Sequence, residues 1–220
     1  MNSCSMNTMI FIVANMVVIG FMLLINEQLW QRKLIRGEAA RKLAHIAIGS
    51  FIATWPIYMA YSDIRIALVL GIIGAVVVRH YVIFRSIFDV KRRSLGDIAA
   101  PVIILAAAFL EPTKTIFAVT VLHIAFADGL AALIGSRFGR TSTYNIMKQK
   151  KSIVGTATFF VASMLIMVCA AIFRTTLDVP AMLIYIVAIP FTATLVENIS
   201  PRGLDNVFVP AVVISWLLLT

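Results

Sequence analysis

The sequence predicts an all-α polytopic membrane protein with about eight transmembrane helices. Of its 220 residues, 61% are hydrophobic and only 13% are charged, whereas soluble domains are about 45–50% apolar. The mean hydropathy is +0.97, and long apolar runs recur from one end of the chain to the other. A single transmembrane domain over residues 1–220 is therefore expected, with little soluble mass.

Eight apolar segments follow one another, each a candidate for a membrane span of about 20 residues. The first has no basic residue before it and no convincing cleavage site after it, so a retained helix is expected. The third and fourth are the weakest candidates, because Arg79 and His80 lie near the end of the third and Pro101 near the start of the fourth. The predicted spans are 9–25, 43–60, 64–84, 98–112, 115–135, 153–173, 179–197 and 204–220.

Basic residues alternate between the loops that join these segments. From one terminus to the other the loops carry 0, 5, 1, 5, 1, 5, 1, 1 and 0 of them, which accounts for all 19 Lys and Arg. Cytoplasmic loops are the ones enriched in Lys and Arg, so the five-charge loops are predicted to be cytoplasmic and both termini to lie outside. Membrane topology thus explains the net charge of +9, and nucleic acid is not expected as a partner.

Polar residues collect beside the predicted cytoplasmic connections, whereas the outer loops carry only scattered ones. They form four blocks, with the sequences RGEAARKLAHIAIG, KRRSLGDIAAP, HIAFADGLAALIGSRFGR continued by KQKKSIVGT, and ENISPRGLDNVFVP. Five acids lie in these blocks: Glu38, Asp97, Asp128, Glu197 and Asp205. A carboxylate at membrane depth costs about 2.5–3.5 kcal/mol and persists mainly with a partner. For Asp128 that partner is expected to be a metal ion or a Lys or Arg from a neighbouring cytoplasmic loop.

Acids mixed with Lys and Arg beside an apolar interior suit phosphoryl transfer. Mg²⁺ binds one or two carboxylates together with substrate phosphates, and cationic side chains stabilise the charge on transferring oxygens. The nucleotide motif of soluble enzymes is absent, because GSRFGRTS is one residue short of GxxxxGK[ST] and has Arg in place of Lys. Phosphate chemistry at the cytoplasmic face is therefore expected without a soluble-type nucleotide motif.

Structural roles would also explain several of these residues one at a time. Gly135 and Gly139 form a GxxxG pattern that is typical of helix packing. Asp205 and Asn206 are residue types that cap a helix well. Glu197 has no such explanation, because a carboxylate is disfavoured at the C-terminal end of a helix.

In their order and spacing the polar blocks resemble those of the integral-membrane, CTP-using lipid-alcohol kinases: phytol kinases, dolichol (polyprenol) kinases and the yeast-type diacylglycerol kinase. EAARKLAHIAIG is similar to the family's E-x-x-R-K-x-x-H-x-x-x-G, and DGLAALIGSRFG followed by KKSIVGT is similar to D-x-x-A-x-x-x-G-x-x-x-G and K-[ST]-x-x-G-[ST]. SLGDIAAP and ENISPRGLDNVFVP resemble the two remaining blocks, so the likeness covers residues 38–210. The resemblance implies transfer of the γ-phosphate of CTP, with Mg²⁺, to the hydroxyl of a long-chain isoprenoid alcohol such as phytol, polyprenol or dolichol.

The resemblance also implies which residues form the nucleotide site, and the metal-binding and catalytic roles are a further hypothesis built on it. The expected nucleotide-binding residues are Arg41, Lys42, Gly135, Gly139, Lys151, Ser152 and Gly155. The expected Mg²⁺ ligands are Asp128 and Asp205, helped by Asn206 and Glu197. The expected catalytic residues are Asp128, His45, Lys151, Asp97 and Glu197, with Glu38 and Ser94 in the same polar cluster. Asp97, His45 and Glu197 are all candidates for the general base, and His45 is weakly favoured.

Three other functions are weighed against this one. A phosphatidate cytidylyltransferase also uses CTP, Mg²⁺ and a membrane lipid, but that family closes with a Gly-His-Gly-Gly-type run before Asp-Arg, where this chain has GLDN. A CTP-dependent diacylglycerol kinase would share the predicted site and differ in its acceptor. A small transporter is less expected, since inverted repeats and mid-membrane charges are not evident. The acceptor and the oligomeric state stay open, and a prokaryotic cytoplasmic membrane is the expected location.

Overall fold

Helices make up nearly all of the regular structure in the computed structural model, which describes residues 2–89, 96–147, 149–172, 179–201 and 203–219. The helices are α1 (Asn2–Gln31), α2 (Glu38–Ala53), α3 (Tyr61–Tyr81), α4 (Arg85–Phe88), α5 (Gly96–Phe109), α6 (Lys114–Leu122), α7 (Asp128–Phe138), α8 (Ile153–Ile172), α9 (Val179–Ile199) and α10 (Asp205–Leu218). A 3₁₀ turn covers Trp55–Ile57, a π-helical segment covers His123–Ala127, and two short strands are β1 (Thr143–Ile146) and β2 (Gln149–Ser152). The chain is an all-α membrane protein with one small hairpin.

Within the described ranges, five helical stretches are long and apolar enough to cross a membrane. They are Thr8–Gln31, Tyr61–Tyr81, Lys114–Phe138, Ile153–Ile172 and Met182–Ile199. Two further apolar helices are shorter, Ile98–Phe109 and Asp205–Leu218. A helix therefore lies at each of the eight predicted positions, while the count of eight spans and the outside placement of both termini stay predictions.

The second predicted span, 43–60, differs most from the helix found there. Helix α2 begins at Glu38 and ends at Ala53, and the chain then forms the 3₁₀ turn that contains Pro56. Proline lacks the backbone N–H of an α-helix and its ring clashes with the preceding turn, which favours a helix end before Pro56, although α5, α9 and α10 continue through Pro101, Pro190 and Pro210. Residues 38–42, which the sequence places in a cytoplasmic connection, instead form the first turn of α2.

Helix α6, the π segment and α7 form one continuous stretch through the centre of the molecule. Two apolar cores lie on opposite sides of it. One contains Ile116 with residues of α8, α9 and α10. The other contains Phe117 and Val121 with residues of α1, α2, α3 and α5. Single-turn π segments inside α-helices occur frequently at functional sites, and this one directly precedes Asp128.

The β1–β2 hairpin occupies the region that connects α7 to α8. Its strands are antiparallel, and Tyr144 lies directly opposite Lys151. Met147 at the tip has a positive φ of 45°. The hairpin brings Lys151 and Ser152 back to the start of α8, next to the end of α9.

Candidate active site

The first ion pair of the site joins the start of α2 to the start of α7. The Lys42 ammonium donates to the Asp128 carboxylate. Only 7% of the Lys42 side chain and 13% of the Asp128 side chain are exposed. Of the two kinds of partner expected for Asp128, the structure places a lysine beside it.

His45 lies one turn beyond Lys42 and contacts the π segment. Its Nε2 is 3.0 Å from the carbonyl oxygen of Ile124. A carbonyl only accepts hydrogen bonds, so Nε2 carries the hydrogen and Nδ1 is the nitrogen that can accept a proton in the neutral ring. A general-base role for His45 stays a prediction, and it would have to use Nδ1.

Small residues allow α2 to lie against the π segment and α7. A Cβ added to Gly49 would overlap the methyl group of Ala125, and one added to Gly129 would overlap the side chain of Ile46. The close approach of these backbones sets the spacing at which Lys42 meets Asp128.

The second ion pair joins the hairpin to the end of α9. The Lys151 ammonium donates to Glu197 Oε1 at 2.6 Å and also to the Glu197 backbone carbonyl. The exposed fractions of these side chains are 14% and 13%. Lys151 thus compensates both the carboxylate and the negative end of the α9 dipole, which explains how an acid is tolerated at this helix end.

Asp205 lies near both ion pairs, in the first turn of α10. The charges of Asp128, Lys42 and Lys151 all act on it, and its Oδ1 accepts a hydrogen bond of 2.9 Å from the backbone N–H of Asn206. Glu197 in turn interacts electrostatically with Asp128 and Asp205. Residues that are far apart in sequence therefore form one charged cluster.

Asn206, which follows Asp205 in the first turn of α10, has a buried acceptor. The residue is 6% exposed, and its Oδ1 has no hydrogen-bond partner among the described residues. An unsatisfied buried polar atom costs about 1–3 kcal/mol. Such an oxygen suits a ligand of the site, either a cation or a hydroxyl donor.

The predicted glycines pack tightly around Ser152. A Cβ added to Gly135 would lie 2.8 Å from Ser152 Oγ and 2.9 Å from the Cα of Gly155, and one added to Gly139 would overlap Ser152. Ser152 Oγ accepts a hydrogen bond of 3.0 Å from the Gly155 N–H and so caps α8. These contacts serve helix packing, and a nucleotide contact at these positions stays a prediction.

The remaining predicted residues divide into two groups. Arg41 and Glu38 form an ion pair on the first turn of α2, with Arg41 Nε donating to Glu38 Oε2 at 3.2 Å. Asp97 lies in the first turn of α5, but its side chain is outside the described part of the structure, and Ser94 is outside the described residues altogether.

Oxygen ligands for Mg²⁺ are present in the cluster: the carboxylates of Asp128, Glu197 and Asp205 and the unpaired Oδ1 of Asn206. In the described ranges, no three acidic, His or Cys side chains lie close enough together to hold an ion by themselves. Mg²⁺ commonly uses one or two carboxylates and completes its shell with substrate phosphates and water. The donor set fits that mode of binding.

Sequence reasoning missed a set of hydrogen bonds that fasten the hairpin. Tyr144 OH donates to Asn198 Oδ1 and lies 2.5 Å from Thr156 Oγ1. Gln149 Nε2 donates to the Ser200 carbonyl at 2.7 Å. The alternation of polar residues with Tyr and Ile along TYNI is the signal that could have revealed a strand.

A second missed network joins α1 to α4 and to the start of α2. Glu27 accepts a hydrogen bond of 2.9 Å from the Ser86 N–H, and the Asn26 amide donates to Ser86 Oγ at 3.0 Å. Asp89 Oδ2 accepts from the Trp30 indole at 2.7 Å and from the Gly37 N–H at 3.1 Å. These hydrogen bonds, the indole first, lower the pKa of the Asp89 carboxyl.

Comparison with known proteins gives one informative relative. The chain is 31% identical over 205 residues to a protein named Phytol kinase from Synechocystis sp., an alignment that covers 90% of this chain and 87% of that protein. No protein-family model matches the chain, and no solved structure matches it.

Proposed function

Because the chain belongs to the phytol kinase family, we propose that it transfers the γ-phosphate of CTP to the hydroxyl of a long-chain isoprenoid alcohol at the cytoplasmic face of a membrane. The observation that carries the proposal is the charged cluster, in which Lys42, Asp128, Lys151, Glu197 and Asp205 meet although they are spread over 164 residue numbers, from 42 to 205. Buried ionisable groups in a membrane protein mark a functional site by default.

The helix geometry around the cluster favours an anion. Lys42 lies in the first turns of α2, Ser152 caps α8, and Asp205 begins α10. The N-terminal end of a helix carries partial positive charge and exposed N–H groups, which suit a phosphate. We propose that these helix ends, together with the two lysines, bind the phosphates of the nucleotide.

The lysines are proposed to change partners when the nucleotide binds. In the structure Lys42 and Lys151 are paired with Asp128 and Glu197. Phosphate oxygens would replace these carboxylates as the partners of the two ammonium groups, with Arg41 adding a third cation. The freed oxygens of Asp128 and Glu197, together with Asp205 and Asn206, would hold Mg²⁺, whose chemistry when bound is to neutralise charge on the phosphate oxygens.

The transfer step follows from this arrangement. The alcohol oxygen forms a bond to the γ-phosphorus, the bond from that phosphorus to the β,γ-bridging oxygen breaks, and CDP leaves. The Lys42 ammonium would stabilise the charge on the transferring oxygens, whereas Lys151 would bind a phosphate that is not transferred. The hydroxyl proton passes to a base, for which Asp97, His45 Nδ1 and Glu197 are the candidates.

The acceptor would reach the site from the bilayer. Its hydroxyl would meet the charged cluster while its apolar chain stays among the helices, which expose many apolar side chains outward. An apolar groove discriminates poorly between chains that differ by a few methylenes. The isoprenoid class is therefore proposed from the family, and the individual alcohol is left to experiment.

Phosphoryl transfer by the purified protein tests the proposal. The protein in detergent is incubated with Mg²⁺ and γ-labelled CTP or ATP, and separately with phytol, a short polyprenol or diacylglycerol. Label in an isoprenoid alcohol with CTP is expected. Label only with ATP would overturn the choice of donor, and label only in diacylglycerol would overturn the choice of acceptor. Release of pyrophosphate with phosphatidate would instead indicate a cytidylyltransferase.

A further inference from the structure

We propose that Tyr144 is a positioning residue, whose hydroxyl fixes the β1–β2 hairpin to α8 and α9 and so holds the Lys151 ammonium in the charged cluster. The kinetic part of this inference rests on the proposed function, in which Lys151 binds a nucleotide phosphate. The structural part concerns the placement of Lys151 and stands on contacts within the chain.

Three side chains form the attachment. Tyr144 OH donates to Asn198 Oδ1 and is 2.5 Å from Thr156 Oγ1. Thr156 Oγ1 lies 3.3 Å from the same Asn198 oxygen. Asn198 is 8% exposed, and its Nδ2 donates to the Thr194 carbonyl at 2.9 Å, which fixes the orientation of the amide. The Tyr144 hydroxyl therefore meets an acceptor that is already held in place.

The strand register couples this attachment to Lys151. Tyr144 and Lys151 are directly opposite each other in the hairpin, and directly opposed residues project from the same face. Tyr144 bonds to Asn198 while Lys151 bonds to its neighbour Glu197. A shift of the tyrosine away from α9 would therefore carry the lysine away from Glu197.

Apart from Ser152, which packs against Gly135 and Gly139 at the end of β2, the remainder of the hairpin offers little other support. Thr143, Asn145 and Lys150 are exposed on its outer face. An isolated two-stranded hairpin is marginally stable in water, and each strand here has four residues. Its position consequently depends on the inner face, where Gln149 provides one further hydrogen bond to the Ser200 carbonyl.

The first test measures the placement of Lys151 without any nucleotide. The protein in detergent is treated with an amine-reactive reagent, and the labelling rate of Lys151 is followed by mass spectrometry. Tyr144→Phe and Thr156→Val remove one hydroxyl each, and both are expected to raise the Lys151 labelling rate several-fold. Thr156→Ser keeps the hydroxyl and is expected to behave as wild type, as is Asn145→Ala on the exposed outer face.

The second test uses steady-state kinetics. A lysine that binds a phosphate equally in the substrate complex and in the transition state affects KM more than kcat. Tyr144→Phe is therefore expected to raise the KM for CTP about tenfold. That factor corresponds to the loss of one well-placed hydrogen bond to a charged group, here the bond from Lys151 to the phosphate. The kcat and the KM for the alcohol should change little. Asn145→Ala is the matched control and should leave all three constants unchanged.

The outcomes separate the two proposals. Equal Lys151 labelling in wild type and in both hydroxyl-lacking variants would overturn the positioning role whether or not the protein uses CTP. Increased labelling in a protein that phosphorylates no alcohol would keep the positioning role and remove the proposed function. A fall in kcat with an unchanged KM for CTP would contradict the kinetic part.

Discussion

The pair formed by Lys42 and Asp128 combines two charges that are mostly withdrawn from solvent. Removing one partner of a buried pair leaves an uncompensated charge and typically costs about 3–5 kcal/mol, whereas replacing both by apolar residues is often tolerated. Lys42→Met is therefore expected to lower the midpoint of thermal unfolding in detergent much more than the double variant Lys42→Met/Asp128→Leu does. A double variant no more stable than the single one would show that the two charges do not compensate each other.

The lowered pKa of Asp89 predicts that the stability of the protein depends on pH through this residue. Its pKa is lowered in the folded protein, chiefly by the hydrogen bond from the Trp30 indole and then by the Gly37 N–H. A lowered pKa stabilises the fold above the pKa of the unfolded chain, and this stabilisation is lost as the pH falls through the folded pKa. Asp89→Ala is therefore expected to unfold at a lower temperature than wild type at pH 7.

That difference between Asp89→Ala and wild type should narrow when the unfolding midpoints are compared at steadily more acidic pH. A difference that stays constant from pH 7 downward would place the effect in packing and not in the charge. This pH dependence arises from the hydrogen bonds that attach α1 to α4, and it is independent of the charged cluster.

Helix packing makes the glycines of α7 sensitive to a single added methyl group. At Gly135 an added Cβ would meet Ser152 Oγ and the Gly155 backbone at less than 3 Å, whereas at Gly74 of α3 it would meet nothing within 4 Å. Gly135→Ala is expected to destabilise the protein by about 1–3 kcal/mol through overpacking. Gly74→Ala, the matched control, should be neutral or stabilise by about 0.5–1 kcal/mol because alanine favours a helix. Equal unfolding midpoints for the two variants would contradict the packing role.

At the level of elements, hydrophobicity predicted the positions of the helices well, and local breaks were harder to foresee. A continuous apolar run does not reveal that Pro56 ends α2 early or that the π segment precedes Asp128. The hairpin was missed because its strands are short and polar, and only contacts with α8 and α9 hold it in place. These contacts join residues that are distant in sequence, so a local sequence pattern does not predict them.

The topology of the whole molecule follows from its basic loops and can be tested directly. The distribution of Lys and Arg predicts that both termini face away from the cytoplasm. A reporter enzyme that is active only outside the cytoplasm, fused after Thr220, is expected to be active. The same reporter inserted in the exposed tip at Met147 should be inactive. The reverse pattern would contradict the predicted orientation.

For the molecule as a whole, the sequence predicted which residues belong to the candidate site but not how they pair. The blocks around Asp128, Lys151 and Asp205 were expected on one face of the membrane, and the structure brings them into one charged cluster. From the sequence, the partner of Asp128 could have been either a metal ion or a Lys or Arg side chain. The choice depends on how closely α2 approaches α7, which the sequence does not show. The attachment by Tyr144 was not foreseen, since a lone tyrosine in a polar loop carries no distinctive spacing.

The most direct test of the central claim is the rate of label transfer from γ-labelled CTP to an isoprenoid alcohol by wild type and three single variants. Asp128→Asn and Asp205→Asn change the charged cluster, and Asp63→Asn changes a half-buried acid on α3 whose Oδ1 accepts a hydrogen bond from the Ser62 hydroxyl. Each protein is first checked to be folded at the assay temperature, because Asp128→Asn leaves Lys42 without its carboxylate and is expected to unfold at a lower temperature than wild type. The rate is expected to fall at least about a hundredfold in the first two variants, in line with removal of groups that stabilise transferring charge, and to be unchanged in the third. Full activity of a folded Asp128→Asn or Asp205→Asn protein would contradict the central claim.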